Sequence, residues 1–150
     1  MNTIYKFIAL VILLVSANVN ANQLNKEQAE VWSVVLESYK EIDSKNANWS
    51  DKYVTEDAMV WGGSTPMPRN RDSVKRWDKF QFSVGETVAS EYSPAAIVVH
   101  NSTAVVHYYY SNGTKNADGK QKVTHGRCSD ILVKDDKAWK FVAWHCTDES

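Results

Sequence analysis

The sequence predicts an α+β domain in which N-terminal helices pack on one face of a strongly curved antiparallel sheet. Three observations carry this expectation. Apolar residues recur at helical spacing through the first half of the chain, the period changes to two from Val84 onward, and short turns join the later segments. Short connections between successive strands imply a meander, and helices followed by strands place the helices together on one face. A length of 150 residues fits one domain with a single core.

Residues Met1–Ala21 read as a secretory signal peptide. Lys6 supplies the positive start, Phe7 to Val15 the apolar segment, and Val19-Asn20-Ala21 the small residues of a cleavage site. The apolar run falls well short of the roughly 20 residues that span a bilayer. The expected product is an exported protein, periplasmic or secreted, occupying residues 22–150 as one domain.

Asn25 and Gln28 suit a helix start with reciprocal capping, and Trp32, Val35, Leu36, Tyr39 and Ile42 form one apolar stripe to about Lys45. A short helix is expected over Trp49 to Val54, then a strand over Ala58 to Trp61 stopped by Gly62-Gly63. Thr65-Pro66-Met67-Pro68 makes a rigid connection into a third helix from Asp72 to Phe80, with Val74, Trp77 and Phe80 inward. Strands follow at Thr87–Tyr92, Ala95–His100, Thr103–Ser111, Gln121–Val133 and Ala138–Thr147. Their turns are assigned to Asn101-Ser102, to Asn112-Gly113 with Asp118-Gly119, and to Asp135-Asp136.

Charge and composition exclude several functions. Lys+Arg total 17 against 18 Asp+Glu, a net charge of −1, which argues against a nucleic-acid partner and, after leader cleavage, against a membrane partner. Apolar content of 43% and charged content of 23% exclude wholesale disorder. Two cysteines are too few for a thiolate zinc site. No Gly-rich phosphate loop, GxSxG elbow or HExxH motif is present, and no cofactor is expected. Six Trp and seven Tyr either fill the core or line a cavity.

Strand register places the polar residues. Centring the last hairpin near Asp136 sets Val133 opposite Trp139, Ile131 opposite Phe141 and Arg127 opposite His145. The odd positions carry the bulk and are assigned to the helix-facing side, while Asp130, Lys134 and Lys140 are assigned to the outer side. Cys128 and Cys146 then share one face close to disulfide reach, and an oxidising compartment favours the bond; a one-residue slip would leave two separate thiols. The preceding hairpin, centred near Asn116, sets His107 roughly opposite His125. Trp61, His107, Tyr109, His125, Arg127 and His145 thereby converge as a candidate pocket for a small, partly apolar molecule. A satisfied structural network and a three-histidine metal site are the competing readings, although no HxH or HxxxH spacing supports a metal.

The run from Thr124 to Cys146, with Val133-Lys134, the acidic turn Asp135-Asp136, Trp139-Lys140-Phe141-Val142 and a late His145, resembles the closing hairpin of the nuclear transport factor 2-like superfamily. It looks most like SnoaL-like proteins, and Trp144-His145-Cys146 is similar to the end of the calcium/calmodulin-dependent kinase association domain. The resemblance implies a conical fold, a homodimer through the outer sheet face, and functions ranging from isomerases, cyclases and dehydratases to binding and assembly modules. The ketosteroid isomerase branch places an Asp general base on its first strand; Gly62 or Trp61 stands there, and neither can take a proton from carbon. Catalysis would then fall to His145 or His125 as base, with Arg127 and Tyr109 stabilising an anion.

Overall fold

A computed structural model describes residues 24–63, 65–136 and 138–149, and the leader expected over residues 1–21 lies outside them. Helix α1 (Lys26–Asp43) begins at the expected cap. Asn25 Oδ1 accepts from the Gln28 amide at 2.9 Å and Gln28 Oε1 accepts from the Asn25 amide at 3.0 Å, which satisfies two otherwise open donors. Val31, Val35 and Ser38 are buried along it, and Tyr39 and Ile42 continue the same stripe.

Helix α2 (Trp49–Tyr53) follows, then the short strands β1 (Met59–Val60) and β2 (Arg69–Asn70), paired antiparallel around the proline-containing connection. Helix α3 (Arg71–Val84) is capped by Asn70 and runs past the expected end at Phe80. Of the trio expected to face inward, Val74 is buried but Trp77 and Phe80 are 44% and 52% exposed. Steps of three residues drift by about 60° around a helix, so a run of two such steps leaves the core face.

Strands β3 (Gly85–His100), β4 (Thr103–Asn116), β5 (Gln121–Asp135) and β6 (Ala138–Glu149) form an antiparallel sheet in chain order. The two strands expected between Thr87 and His100 are one, with register shifts at Thr87/Ala89 and Pro94/Ala96. Proline is tolerated there because β3 is an edge strand. Of the residues expected to turn the chain here, Asn112-Gly113 lies inside β4, whereas the chain reverses at Asp118-Gly119 as expected, where the φ of 81° suits Gly119. Trp61 extends the sheet beyond β6: its amide donates to the Trp144 carbonyl at 2.8 Å, and the Cys146 amide donates to the Trp61 carbonyl at 3.0 Å.

The face assignment in β4 and β5 is corrected. Even-numbered residues point toward the helices, and Ala104, Val106, Tyr108, Cys128, Asp130 and Leu132 are all buried. The β5–β6 hairpin closes with Asp135 opposite Ala138 and Lys134 opposite Trp139, one residue away from the expected pairing. A one-residue slip turns a whole strand over. Trp139 and Phe141 do face inward as expected; a register shift at Val142 then brings Trp144 and Cys146 to the same side. Cys128 therefore sits directly opposite Cys146, and the two form a disulfide. A loop of this size contributes about 3 kcal/mol.

Candidate functional site

A cavity of about 250 Å³ lies between α1, α3 and the inner face of the sheet. Tyr108 of β4 and Asp130 of β5 form its floor, Trp49, Phe141 and Trp144 form its walls, and Arg69 and Trp77 stand at the more exposed rim. The helix pattern Val31, Val35, Tyr39 delivers the Tyr39 ring to the same space. Tyr39 stacks on Tyr92 with centroids 4.1 Å apart, and its hydroxyl is 2.6 Å from that of Tyr108.

Asp130 is the unusual residue of this floor. It is 2% exposed, set in a cross-strand row between Val106 and Trp144. No Lys, Arg or His pairs with it among the described residues. Burial pushes its carboxyl up to about 8, and a hydrogen bond from Tyr108 opposes that only in part. The same burial raises the Tyr39 and Tyr108 phenols well above their ordinary value, so both stay protonated. At neutral pH the floor therefore presents a neutral carboxylic acid and two hydroxyls. One phenolic proton closes the Tyr39–Tyr108 bond, and the other remains available to Asp130 or to a ligand.

A second carboxyl, Asp78 of α3, lines the wall and accepts from Trp49 Nε1 at 2.7 Å. Burial raises its pKa, with the Trp49 hydrogen bond pulling the other way. Arg69 lies over the Trp77 ring at 4.6 Å and brings one cation to the rim. The site thus has an acidic, proton-holding floor, aromatic walls and a cationic rim.

None of the six residues expected to line a pocket is in this cavity. Tyr109 and Arg127 are exposed partners on the outer face of the sheet, and Arg127 Nη1 is 3.9 Å from Glu149 Oε1. His107 is hydrogen-bonded to Ser129 at 2.8 Å and His125 to Ser111 at 2.9 Å. His145 packs beside Trp61 with centroids 5.9 Å apart. His107, Tyr109, His125, Arg127 and His145 do share one face of the sheet, but it is the outer one, and His145 reaches it only through the register shift at Val142. The one group of potential metal ligands among the described residues is Cys128, Asp130 and Cys146, whose sulfurs are joined to each other. Sequence reasoning missed Tyr39, Tyr108 and Asp130 as a group. The signal in β4 is weak, because Ala104, Val106 and Tyr108 alternate with Thr103, Val105, His107 and Tyr109, so both faces carry apolar and aromatic residues.

A match to the SnoaL-like domain family extends over residues 31–146, most of the chain and every element of this cavity. The chain belongs to the SnoaL-like domain family. The solved structures similar to this SnoaL-like chain share its fold. A ketosteroid isomerase-like protein from Erwinia carotovora atroseptica superposes with a TM-score of 0.74 at 15% identity, covering 85% of this chain and 99% of that one. An NTF2-like protein from Cytophaga hutchinsonii gives 0.71 at 13% identity, covering 84% and 100%. A protein provisionally named a scytalone dehydratase from Novosphingobium aromaticivorans gives 0.71 at 16%, covering 83% and 85%. No curated protein is significantly similar to the chain in sequence. The expected nuclear transport factor 2-like fold is thus the fold of this SnoaL-like domain.

Proposed function

We propose that this is an exported protein that binds a small, partly apolar molecule in the cavity between α1, α3 and the sheet. The observation that carries the reading is Asp130: a carboxyl buried at the floor of an aromatic cavity with no ion-pair partner among the described residues. A carboxylic acid kept neutral in this way donates a hydrogen bond, so the complementary ligand offers an acceptor oxygen, as a carbonyl or an enolate does. The aromatic walls take its apolar body, and the Cys128–Cys146 disulfide and the absence of a membrane-spanning helix among the described residues are compatible with export.

A second reading, catalysis, is favoured by the same group. A floor carboxyl poised near 8 can hold and release a proton close to neutral pH, the requirement for isomerase or dehydratase chemistry. In that reading Asp130 replaces the histidines as the acid–base residue, because His125 and His145 lie across the sheet from the cavity. The outer face, with exposed Val98, Tyr109 and Val123, is assigned to homodimer formation.

Tryptophan fluorescence tests the cavity, since Trp49, Trp77 and Trp144 line it. A panel of cyclic enones, phenols and saturated hydrocarbons of similar size is titrated into wild type, Asp130→Leu and His145→Ala. The expected pattern is preference for oxygen-bearing ligands, at least about tenfold weaker binding in Asp130→Leu, and no change in His145→Ala. Equal affinities in all three proteins would remove Asp130 from ligand binding. Turnover of any bound ligand in wild type, lost in Asp130→Asn, would select the catalytic reading.

A further inference from the structure

We propose that the rim of the cavity, formed by α3 and the loop before it, docks on an anionic phospholipid bilayer. Met67, Trp77, Phe80 and Val84 are 66%, 44%, 52% and 39% exposed. Trp77, Phe80 and Val84 are three and four residues apart, so they form one stripe on the solvent side of α3, with the Trp77 and Phe80 centroids 5.4 Å apart. Aromatic residues at such a stripe are the ones that favour the headgroup boundary.

Charge selects the partner. Between Met67 and Val84 there are five cations (Arg69, Arg71, Lys75, Arg76 and Lys79) and two acids (Asp72 and Asp78), whereas the whole chain is at −1. Arg71 is engaged by Glu56 at 3.4 Å and Lys75 by Asp51 at 2.5 Å. Arg69, Arg76 and Lys79 form no ion pair among the described residues. Lys45 adds a further cation at the end of α3, its Nζ donating to the Phe82 carbonyl at 3.3 Å. Of the two acids, Asp78 is turned into the cavity toward Trp49, and Asp72 alone faces solvent. The near-neutral balance of the chain argues against a membrane partner, but a surface responds to charges within a Debye length of about 8 Å, and α3 with the loop before it carries five cations against two acids. An apolar aromatic stripe flanked by unpaired cations is complementary to an anionic bilayer.

The same Trp77 and Arg69 stand at the rim of the cavity, so docking turns its opening toward the hydrocarbon. An apolar ligand would then pass between lipid and cavity without crossing water; this consequence rests on the ligand-binding reading above, whereas the docking itself does not.

Co-sedimentation with vesicles of phosphatidylcholine alone, or of phosphatidylcholine mixed with phosphatidylglycerol, tests the surface at low and high salt. Wild type and variants carry the same N-terminus, so that the apolar segment near residue 10 contributes equally. The expected result is binding to the anionic vesicles that high salt weakens. Each surface cation contributes roughly fivefold, so Arg76→Ser with Lys79→Ser loses about 25-fold. Phe80→Ser with Val84→Ser, which leaves the cavity lining intact, loses about tenfold or more. Circular dichroism verifies the fold of each variant. Wild type that ignores phosphatidylglycerol, or variants that bind as wild type does, would overturn the proposal. So would a patch that mediates self-association without lipid, measured by sedimentation velocity, since the stripe would then serve a second copy. Vesicle binding that persists while no cavity ligand is found leaves the docking standing and removes the ligand reading alone.

Discussion

Asp130→Asn replaces the floor carboxyl by a neutral group of nearly the same shape, and its effect should depend on pH in a defined way. The folded-state pKa of Asp130 is about 8 against an ordinary value of 3.8, because burial disfavours the charge. Between those values the unfolded chain has released the proton that the folded chain retains. Stability conferred by the retained proton is complete below pH 4, declines as pH rises, and is lost once pH passes 8. Each pH unit in that window is worth 1.36 kcal/mol, so from pH 5 to pH 8 Asp130→Asn should gain about 4 kcal/mol on wild type. Urea denaturation of both proteins at pH 5, 6.5, 8 and 9 measures the difference, which should rise and then level off. A difference that changes by less than about 1 kcal/mol across this range would mean that the carboxyl is ionised in the fold. The assignment of a neutral hydrogen-bond donor to the cavity floor would then fail.

Three further outcomes follow from other parts of the molecule. Cys128→Ser with Cys146→Ser removes a directly cross-strand bond and should lower stability by about 3 kcal/mol, read as a lower melting temperature that reductant also produces in wild type. Gly126→Ala should cost about 2 kcal/mol in chemical denaturation, because a Cβ there would meet the Tyr110 ring and the backbone carbonyl of Thr147, and the carbonyl is held in place by the strand. Val98→Lys with Val123→Lys, on the exposed convex face, should yield a monomer by light scattering with unchanged circular dichroism if that face joins two copies.

The elements were more legible than their orientation. Capping at Asn25 and Gln28, the stripe through Tyr39 and the change to period two all rest on local backbone chemistry, which the sequence displays directly. The side on which each strand residue lands depends on a turn, and a hairpin that closes with Asp135 opposite Ala138, instead of one centred on Asp136, inverts β5 relative to its expected face. The extra residue at Val142 then restored the relation of Cys128 to Cys146, which is why the disulfide was foreseen while the pocket was not. In the expected register the even parity of Asp130 puts it outward, a side that suits a lone acid. Its burial becomes intelligible only once Tyr39, 91 residues earlier in the chain, is seen to approach the same floor through Tyr108.

The long first strand of the sheet bears on how the protein stays apart from its neighbours at high concentration. An edge of sixteen residues in β3 would offer a ladder of open donors and acceptors to any extended chain. That ladder is interrupted along its length. The shift between Thr87 and Ala89 breaks its rhythm, Pro94 deletes an amide, and the Gln28 side chain, beyond its part in capping α1, occupies the Ile97 carbonyl at 2.7 Å. The stretches left between these points are short enough to discourage edge-to-edge polymerisation. A Pro94→Val variant should therefore fold yet form thioflavin-positive aggregates sooner than wild type.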